Sequence, residues 1–193
     1  MIITAFAIIL AACSPKGGAL TIEPYEFSEK ESQLIERTGV FSVDYFTMNG
    51  NLDNADLQFT VEVYENGKLK EELVGMHGMM ETEFKKDLLS FSLFETENEQ
   101  EQQQFTLHIG TPSGSLVSST YDTKAPMMAS VYAPLINDKI TLEKDQPIYI
   151  AGWAGTMKDA VLSLYGENGQ LPENLESYEQ ALLLKVLWTD VEK

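Results

Sequence analysis

The chain has 193 residues, of which 44% are hydrophobic, and its formal net charge is −17 at pH 7. The length suits one domain with a substantial core, and the hydrophobic fraction excludes a wholly disordered chain. The strong negative charge argues against nucleic acid as a partner and against electrostatic docking on anionic lipids, because both depend on Lys and Arg.

An uncharged apolar run covers residues 2–12 and ends in two alanines before Cys13, the single cysteine of the chain. The run is too short to span a bilayer as a helix, which takes roughly 20 apolar residues. Its length suits an export signal, and its small final residues mark a cleavage point. The alternative is a buried N-terminal strand with a free cysteine.

The residues Leu10-Ala11-Ala12-Cys13 resemble the lipobox of bacterial prolipoproteins. In that family the cysteine receives a diacylglycerol and the peptide is cut just before it. The resemblance implies that Cys13 is the first mature residue and carries at least two acyl chains, which hold a protein stably on a membrane. We therefore expect a lipid-anchored protein on the extracytoplasmic face of the cell membrane. No Lys or Arg precedes the apolar run, so we expect the true start to lie upstream of Met1.

Residues 13–38 are predicted to be a tether that includes one short helix. A Ser-Pro-Lys-Gly-Gly run begins at Ser14, and a mixed polar stretch continues to about Phe27. Ser28 and Glu31 have the spacing of a capping box, in which each side chain satisfies a backbone amide of the other. We expect a helix over about residues 29–37, ending before Gly39, with the folded domain covering residues 39–193.

From Val40 onward, apolar and polar residues alternate with the period of two that is typical of half-buried strands. The first such run alternates apolar Phe41, Val43 and Tyr45 with polar Ser42 and Asp44. The run at residues 57–63 is the clearest strand, and Asn66-Gly67 predicts a hairpin because both turn positions need positive φ. Further candidate strands lie at residues 69–74, 89–93, 105–109, 116–121, 128–132, 139–142, 148–153 and 181–188.

The segments between these strands carry turn and loop sequences. Residues 49–56 are predicted to be a polar loop, and the acidic residues 95–101 an exposed hairpin tip. Residues 155–179 are irregular, with a weak helix over about 157–165 and a turn at 173–177.

Many short strands separated by turns indicate an all-β fold. We expect an immunoglobulin-like antiparallel β-sandwich, preceded by the tether and its short helix. The Cys–Trp–Cys framework of true immunoglobulin domains does not occur in the sequence, so the likeness concerns architecture only.

A broader resemblance rests on the lipobox, the segment 28–36 before a glycine, the hairpin at 61–68 and the closing run 178–188. In these features the chain resembles a class of small, uncharacterised lipoproteins of Gram-positive bacteria. That class implies no particular activity.

The sequence holds no motif of a known catalytic site. Gly-x-Ser-x-Gly, a P-loop, Gly-x-Gly-x-x-Gly and His-Glu-x-x-His do not occur in it. His108 falls on the polar face of a strand, where we interpret it as structural. The 30 acidic residues are too many for sequence to select a catalytic pair. We therefore predict no catalytic residue and no cofactor.

Two features suggest binding chemistry. Met76, His77, Met79 and Met80 offer the thioether and imidazole ligands that suit Cu(I), although methionines more commonly fill gaps in a core. We favour the core interpretation and assign no metal site. Trp153 is either a core tryptophan that closes the sandwich or an exposed aromatic that binds a ligand, and we favour the core.

Together these observations favour a lipid-anchored binding or interaction module at the cell envelope. The sequence does not identify its partner, and three classes stay open: an envelope protein, a peptide or a small ligand. The alternatives are an envelope enzyme that uses unidentified carboxylates and a copper-binding protein. A deep cleft with two converging acids of perturbed pKa would favour the enzyme, and shallow grooves would favour binding.

Overall fold

A computed structural model describes residues 19–37, 42–52, 55–79, 83–97, 103–123, 125–160 and 163–190. The strands in these ranges are β1 Leu20–Pro24, β2 Val43–Asn51, β3 Ala55–Glu65, β4 Lys68–Met79, β5 Glu83–Glu97, β6 Gln103–Gly110, β7 Leu116–Asp122, β8 Ala129–Pro134, β9 Ile140–Thr141, β10 Ile148–Thr156 and β11 Gln180–Asp190. The helix α1 covers Glu29–Glu36, and a 3₁₀ turn covers Leu175–Ser177. Neither described helix is long and apolar enough to cross a bilayer.

The strands form two antiparallel sheets. Sheet A has the order β7-β6-β5-β2-β1-β9, and sheet B has the order β4-β3-β11-β10-β8. Apolar side chains at alternate positions of each strand face the opposite sheet, as a half-buried strand requires. In sheet B these include Phe59, Val61 and Val63 of β3, which are at most 1% exposed. The structure confirms the predicted all-β sandwich with one short helix.

The outer face of sheet B is covered by the segment between β10 and β11. Leu164, Leu175 and Tyr178 of this segment pack on Tyr64 and Leu183 of the sheet and form a second apolar cluster. The segment is irregular, as predicted, and the 3₁₀ turn falls within the predicted turn. The helix predicted over residues 157–165 is wrong, because the described parts of that range are bends and coil.

The folded domain begins earlier than the sequence predicted. Residues 20–24 were assigned to the tether, yet they form β1, which pairs with β2 on one side and β9 on the other. Leu20 and Ile22 are fully buried in the core, and their burial stabilises the strand. Only two apolar residues alternate here before Pro24, so the pattern is too short to indicate a strand on its own.

The local signals around α1 and the first hairpin are confirmed. Ser28 accepts a hydrogen bond from the backbone N–H of Glu31, and the Glu31 carboxylate accepts one from the Ser28 N–H at 2.8 Å. Asn66 and Gly67 join β3 to β4 with φ of 49° and 76°. Gly39, the expected C-terminal signal of the helix, lies outside the described residues.

Two strands are longer than the alternation indicated. β2 continues to Asn51 and β3 begins at Ala55, so residues 49–51 and 55–56 of the predicted polar loop are strand. β5 begins at Glu83, and it continues to Glu97, within the predicted acidic tip. Residues 98–102 of that hairpin lie outside the described residues.

Candidate functional site

A pocket of about 500 Å³ lies between the two sheets, where β5 of sheet A faces β8 and β10 of sheet B. Its walls are formed by Ser42, Leu93, Phe94, Glu95, Thr96, Ser130, Tyr132 and Trp153. A volume of this size lies within the range of small-molecule sites, which combine an apolar lining with a few polar groups.

The pocket forms where the inward faces of the strands change from apolar to polar. On β5 the inward residues Phe91 and Leu93 are buried, and Glu95 continues the same face. β8 is the edge strand of sheet B, and its Ser130 and Tyr132 lie opposite residues 155 and 153 of β10. Small and polar side chains at these inward positions leave the space between the sheets unfilled.

Trp153 forms both part of the core and part of the pocket wall. Its side chain is 3% exposed, and its ring centroid lies 4.3 Å from that of Phe105. This confirms the core interpretation of Trp153. The same ring also lines the pocket. Trp153 therefore offers aromatic surface to the pocket although its side chain is almost entirely buried.

The carboxylate of Glu95 is held by a hydrogen-bond network that leads into the buried side chain of Gln103. Its Oε1 accepts a hydrogen bond from Nε2 of Gln103 at 2.6 Å. The Oε1 atom of Gln103 in turn accepts from the backbone N–H of Met127 at 3.1 Å and lies 3.5 Å from the hydroxyl of Thr123. Since Gln103 is 9% exposed and fixed on several sides, it orients Glu95 at the pocket.

Asp44 lies behind the pocket wall, on the inward face of β2. Its Oδ2 atom is buried and has no hydrogen-bond partner among the described residues. Burial raises the pKa of Asp44, although a hydrogen bond from Tyr132 opposes the shift. The Tyr132 hydroxyl also lies 3.3 Å from the carbonyl oxygen of Phe91. Burial, together with the nearby Asp44, raises the pKa of Tyr132 well above its ordinary value.

Sequence reasoning missed Asp44 because it followed the wrong set of alternating residues. Val43 and Tyr45 looked like the apolar face of β2, yet the structure turns Asp44 inward together with Phe46 and Met48. Tyr45 packs on the outside of sheet A, with its ring 5.3 Å from that of Phe27. The sequence does contain a signal for the observed orientation. Asp44, Phe46 and Met48 occupy alternate positions, so in a strand they lie on the same face.

A second polar cluster lies on the outer face of sheet B. Glu62 is 4% exposed, and its Oε2 accepts hydrogen bonds from the hydroxyls of Tyr64 at 2.6 Å and Tyr149 at 3.0 Å. Its Oε1 accepts from Lys185, which also donates to Glu72 at 2.7 Å. Burial alone would raise the pKa of Glu62, but the bonds from Lys185, Tyr64 and Tyr149 lower it overall.

This cluster is suited to holding the sheet rather than to binding. Each charged group in the cluster has an ion-pair partner within it. The cluster also lies on the side of sheet B away from the pocket. Lys185 of β11 joins Glu62 of β3 and Glu72 of β4, so it links three neighbouring strands through one ammonium group. Because both Lys185 and Glu62 are largely buried, loss of Lys185 would leave the Glu62 carboxylate buried without its cation.

Apart from Trp153, the residues that the sequence singled out lie away from the pocket or outside the described structure. Cys13 and Ala12 lie outside it, as does Met80. Met76 is partly buried and packs against the core, and the side chains of residues 77 and 79 are not described. Among the described residues, no group of three His, Cys, Asp or Glu side chains could hold a metal ion. Copper binding therefore stays a hypothesis from sequence.

His108 lies on the outer face of sheet A. Its Nδ1 is 2.6 Å from the hydroxyl of Ser118, and its ring packs edge-on against Phe94 with centroids 5.2 Å apart. These contacts match a structural role, and they place His108 behind one of the aromatic residues of the pocket wall.

The model of the YgaN domain family matches residues 21–187. No curated protein and no solved structure matches the chain. The matched span runs from β1 to β11 and contains every residue of the pocket and of the polar cluster. Because the match covers most of the sequence, the chain belongs to the YgaN domain family.

Proposed function

We propose that this protein is a lipid-anchored binding module of the cell envelope and that the pocket between its sheets is the recognition site. The observation that carries the proposal is the pocket itself, with its volume of about 500 Å³ and its lining from both sheets. Aromatic rings, hydroxyls and one oriented carboxylate meet there. Such a lining can orient a small ligand or an inserted side chain.

The placement of the carboxylates favours binding over hydrolysis. Asp44 lies beside Phe91 in the register of β2 and β5, and Glu95 lies four residues farther along β5. Four strand residues span about 13 Å, which exceeds the separation of roughly 5 to 9.5 Å between the two carboxyl groups of a glycosidase. The Oδ2 atom of Asp44 is also shielded by protein atoms, so it is not presented to a substrate.

The lipobox supports the anchored location. If Cys13 carries lipid, residues 14–19 are all that separates it from β1, and six extended residues reach at most about 20 Å. The tether is therefore shorter than the sequence first indicated, and the domain is held close to the headgroups. Its negative charge supplies no attraction to an anionic surface, so the lipid provides the attachment.

The anchor is tested by replacing Cys13 with alanine and following incorporation of a labelled fatty acid. We expect the wild-type protein to be labelled and to sediment with membranes, and Cys13→Ala to lose both properties. Ser14→Ala is the matched control and should behave like the wild type. Equal labelling of Cys13→Ala would contradict lipid attachment at this residue.

The recognition site is tested by filling the pocket with a large side chain. Ser130→Phe places a ring at the pocket, whereas Thr120→Phe places one on exposed β7. Partners captured by cross-linking on intact cells should be lost with Ser130→Phe and retained with Thr120→Phe. If both variants capture the same partners as the wild type, the pocket is not the recognition site.

A further inference from the structure

The pocket and its immediate surroundings carry negative charge. Among the described residues that line it, Glu95 is the single charged one, and none of them is Lys, Arg or His. Asp44 adds a second carboxyl one side chain away, because Tyr132 forms part of the wall and hydrogen-bonds the Asp44 side chain. An anionic ligand would therefore meet repulsion from two sides, and a cation would meet attraction.

The two carboxylates lie at different depths. Ser42 of the wall is opposite Leu93, whose N–H donates to the Ser42 carbonyl at 3.0 Å, and Asp44 lies two residues farther inside on the same face. Glu95 is exposed and lies toward the mouth. A bound cation would thus pass Glu95 on entry and come to rest beside Tyr132, one side chain away from the buried Asp44, where the surroundings are drier and a charge acts more strongly.

The unsatisfied oxygen of Asp44 is the second observation that indicates a cation. Among the described residues, Oδ2 of Asp44 has no hydrogen-bond partner, although it is buried. Burying a carboxylate without full hydrogen bonding is unfavourable, so such a group in a folded domain calls for an explanation. A positive group in the adjoining pocket would offset this cost.

The rest of the lining suits the body of such a ligand. Trp153 and Tyr132 present aromatic surface, which attracts cations and also packs against methylene groups. Leu93 of the opposite sheet adds apolar surface to the lining. The hydroxyls of Ser42 and Ser130 offer hydrogen-bond acceptors that a compact ammonium group can use in several directions.

We propose that the pocket binds a primary alkylammonium group carried on an apolar stem, with the ammonium beside Ser42 and Tyr132 and the stem along Trp153. The inference rests on the proposed function, because it assigns a ligand class to the same pocket. Two sources carry this chemistry, a free alkylamine and the side chain of a lysine in a peptide.

The experiment uses the full-length protein and n-butylammonium at pH 7.5 as the probe. Binding is followed by the fluorescence of Trp153 in a Trp188→Phe background and by calorimetry. We expect saturable binding with a Kd of about 1 mM, as suits so small a ligand. The isosteres 1-butanol and butyrate have the same stem without the positive charge, and they should not saturate.

The variants separate the roles of the two carboxylates. Asp44→Asn should weaken binding of n-butylammonium about tenfold or more, because it removes the buried charge. Glu95→Gln should mainly reduce the association rate and its dependence on salt. Asp138→Asn removes an exposed charge elsewhere and should leave binding unchanged. Equal binding of 1-butanol, or unchanged affinity in Asp44→Asn, would overturn the inference.

A further arm distinguishes the two sources of the ammonium group. Binding of Nα-acetyl-lysine amide at least as tightly as n-butylammonium assigns the site to a lysine side chain, and weaker binding assigns it to a free amine. Either result supports the inference that the pocket binds a cation. If no amine binds but Ser130→Phe still abolishes capture on cells, the cation inference fails and the proposed recognition site stands. If neither effect is seen, both fail.

Discussion

At the scale of single residues, Asp44 is the most informative side chain of this protein. It places a carboxyl on a face of β2 that otherwise carries buried Phe46 and Met48. The one titratable group that the structure shows hydrogen-bonded to it is Tyr132, which stays neutral because its own pKa is raised well above the ordinary value. No positive group in the described part of the chain is therefore shown to balance a negative charge on Asp44.

The raised pKa of Asp44 predicts how its removal changes stability with pH. Above the folded-state pKa the buried charge destabilises the fold, and this cost disappears as pH falls toward the ordinary Asp value of 3.8. Asp44→Asn should therefore raise the free energy of unfolding relative to the wild type at pH 8. The gain should shrink at pH 4. Denaturant unfolding at both pH values measures it.

Asp138→Asn is the control for that experiment, since Asp138 is exposed. Its effect should be small at both pH values. A destabilising effect of Asp44→Asn at pH 8 would show that the charge of Asp44 contributes favourably to the empty fold, against this prediction.

Lys185 gives a second prediction at this scale. Its side chain is 12% exposed and that of Glu62 is 5% exposed, so Lys185→Met leaves a buried carboxylate without its cation. We expect a loss of about 3 kcal/mol in the free energy of unfolding. Lys144→Met removes the ammonium of a more exposed ion pair with Asp190 and should change stability far less.

A double variant shows whether the loss comes from the unpaired charge. Adding Glu62→Gln to Lys185→Met should recover part of the stability, because the orphaned carboxylate is then gone. Strictly additive losses in the two single variants and the double variant would contradict this explanation.

At the scale of elements, the β3–β4 hairpin depends on a glycine for two separate reasons. Gly67 has φ of 76°, and a Cβ atom there would lie 2.9 Å from the backbone of Glu176 in the 3₁₀ turn. The hairpin therefore packs its turn directly against the segment that covers sheet B. Gly114 has a similar φ of 82° but has no atom within 4 Å of a Cβ position.

This difference predicts unequal effects of the same substitution. Gly114→Ala should cost about 1 kcal/mol from backbone strain alone. Gly67→Ala should cost clearly more, because either the turn or the 3₁₀ segment has to move. Thermal unfolding of both variants measures the contrast, and equal losses would mean that the contact with Glu176 is easily relaxed.

The elements also show what the sequence could predict. Local sequence signals were sufficient to predict α1, whose capping box involves Ser28 and Glu31. They were also sufficient to predict the Asn66-Gly67 hairpin. β1 was not predictable, because its identity depends on pairing with β2 and β9 and not on its own short pattern. The pocket was not predictable for the same reason. It requires knowing that β8 is an edge strand opposite β5, which is a property of the topology.

At the scale of the whole molecule, the net charge of −17 dominates the electrostatics. Excess negative charge repels itself across a compact domain, and salt screens that repulsion over a Debye length of about 10 Å at 0.1 M. The Tm should therefore rise as NaCl is increased from low concentration to 0.5 M. A Tm that falls over this range would mean that ion pairs such as Lys144–Asp190 outweigh the general repulsion.

The position of β1 inside sheet A has a mechanical consequence. Because β1 lies between β2 and β9, a chain held by its N-terminal side transmits force into an interior strand and not into an edge. Tension directed along β1 loads its hydrogen bonds to β2 together, in shear, so they cannot open one after another. The lipid attachment that we propose at Cys13 would thereby act on the domain through a strand that resists being peeled away.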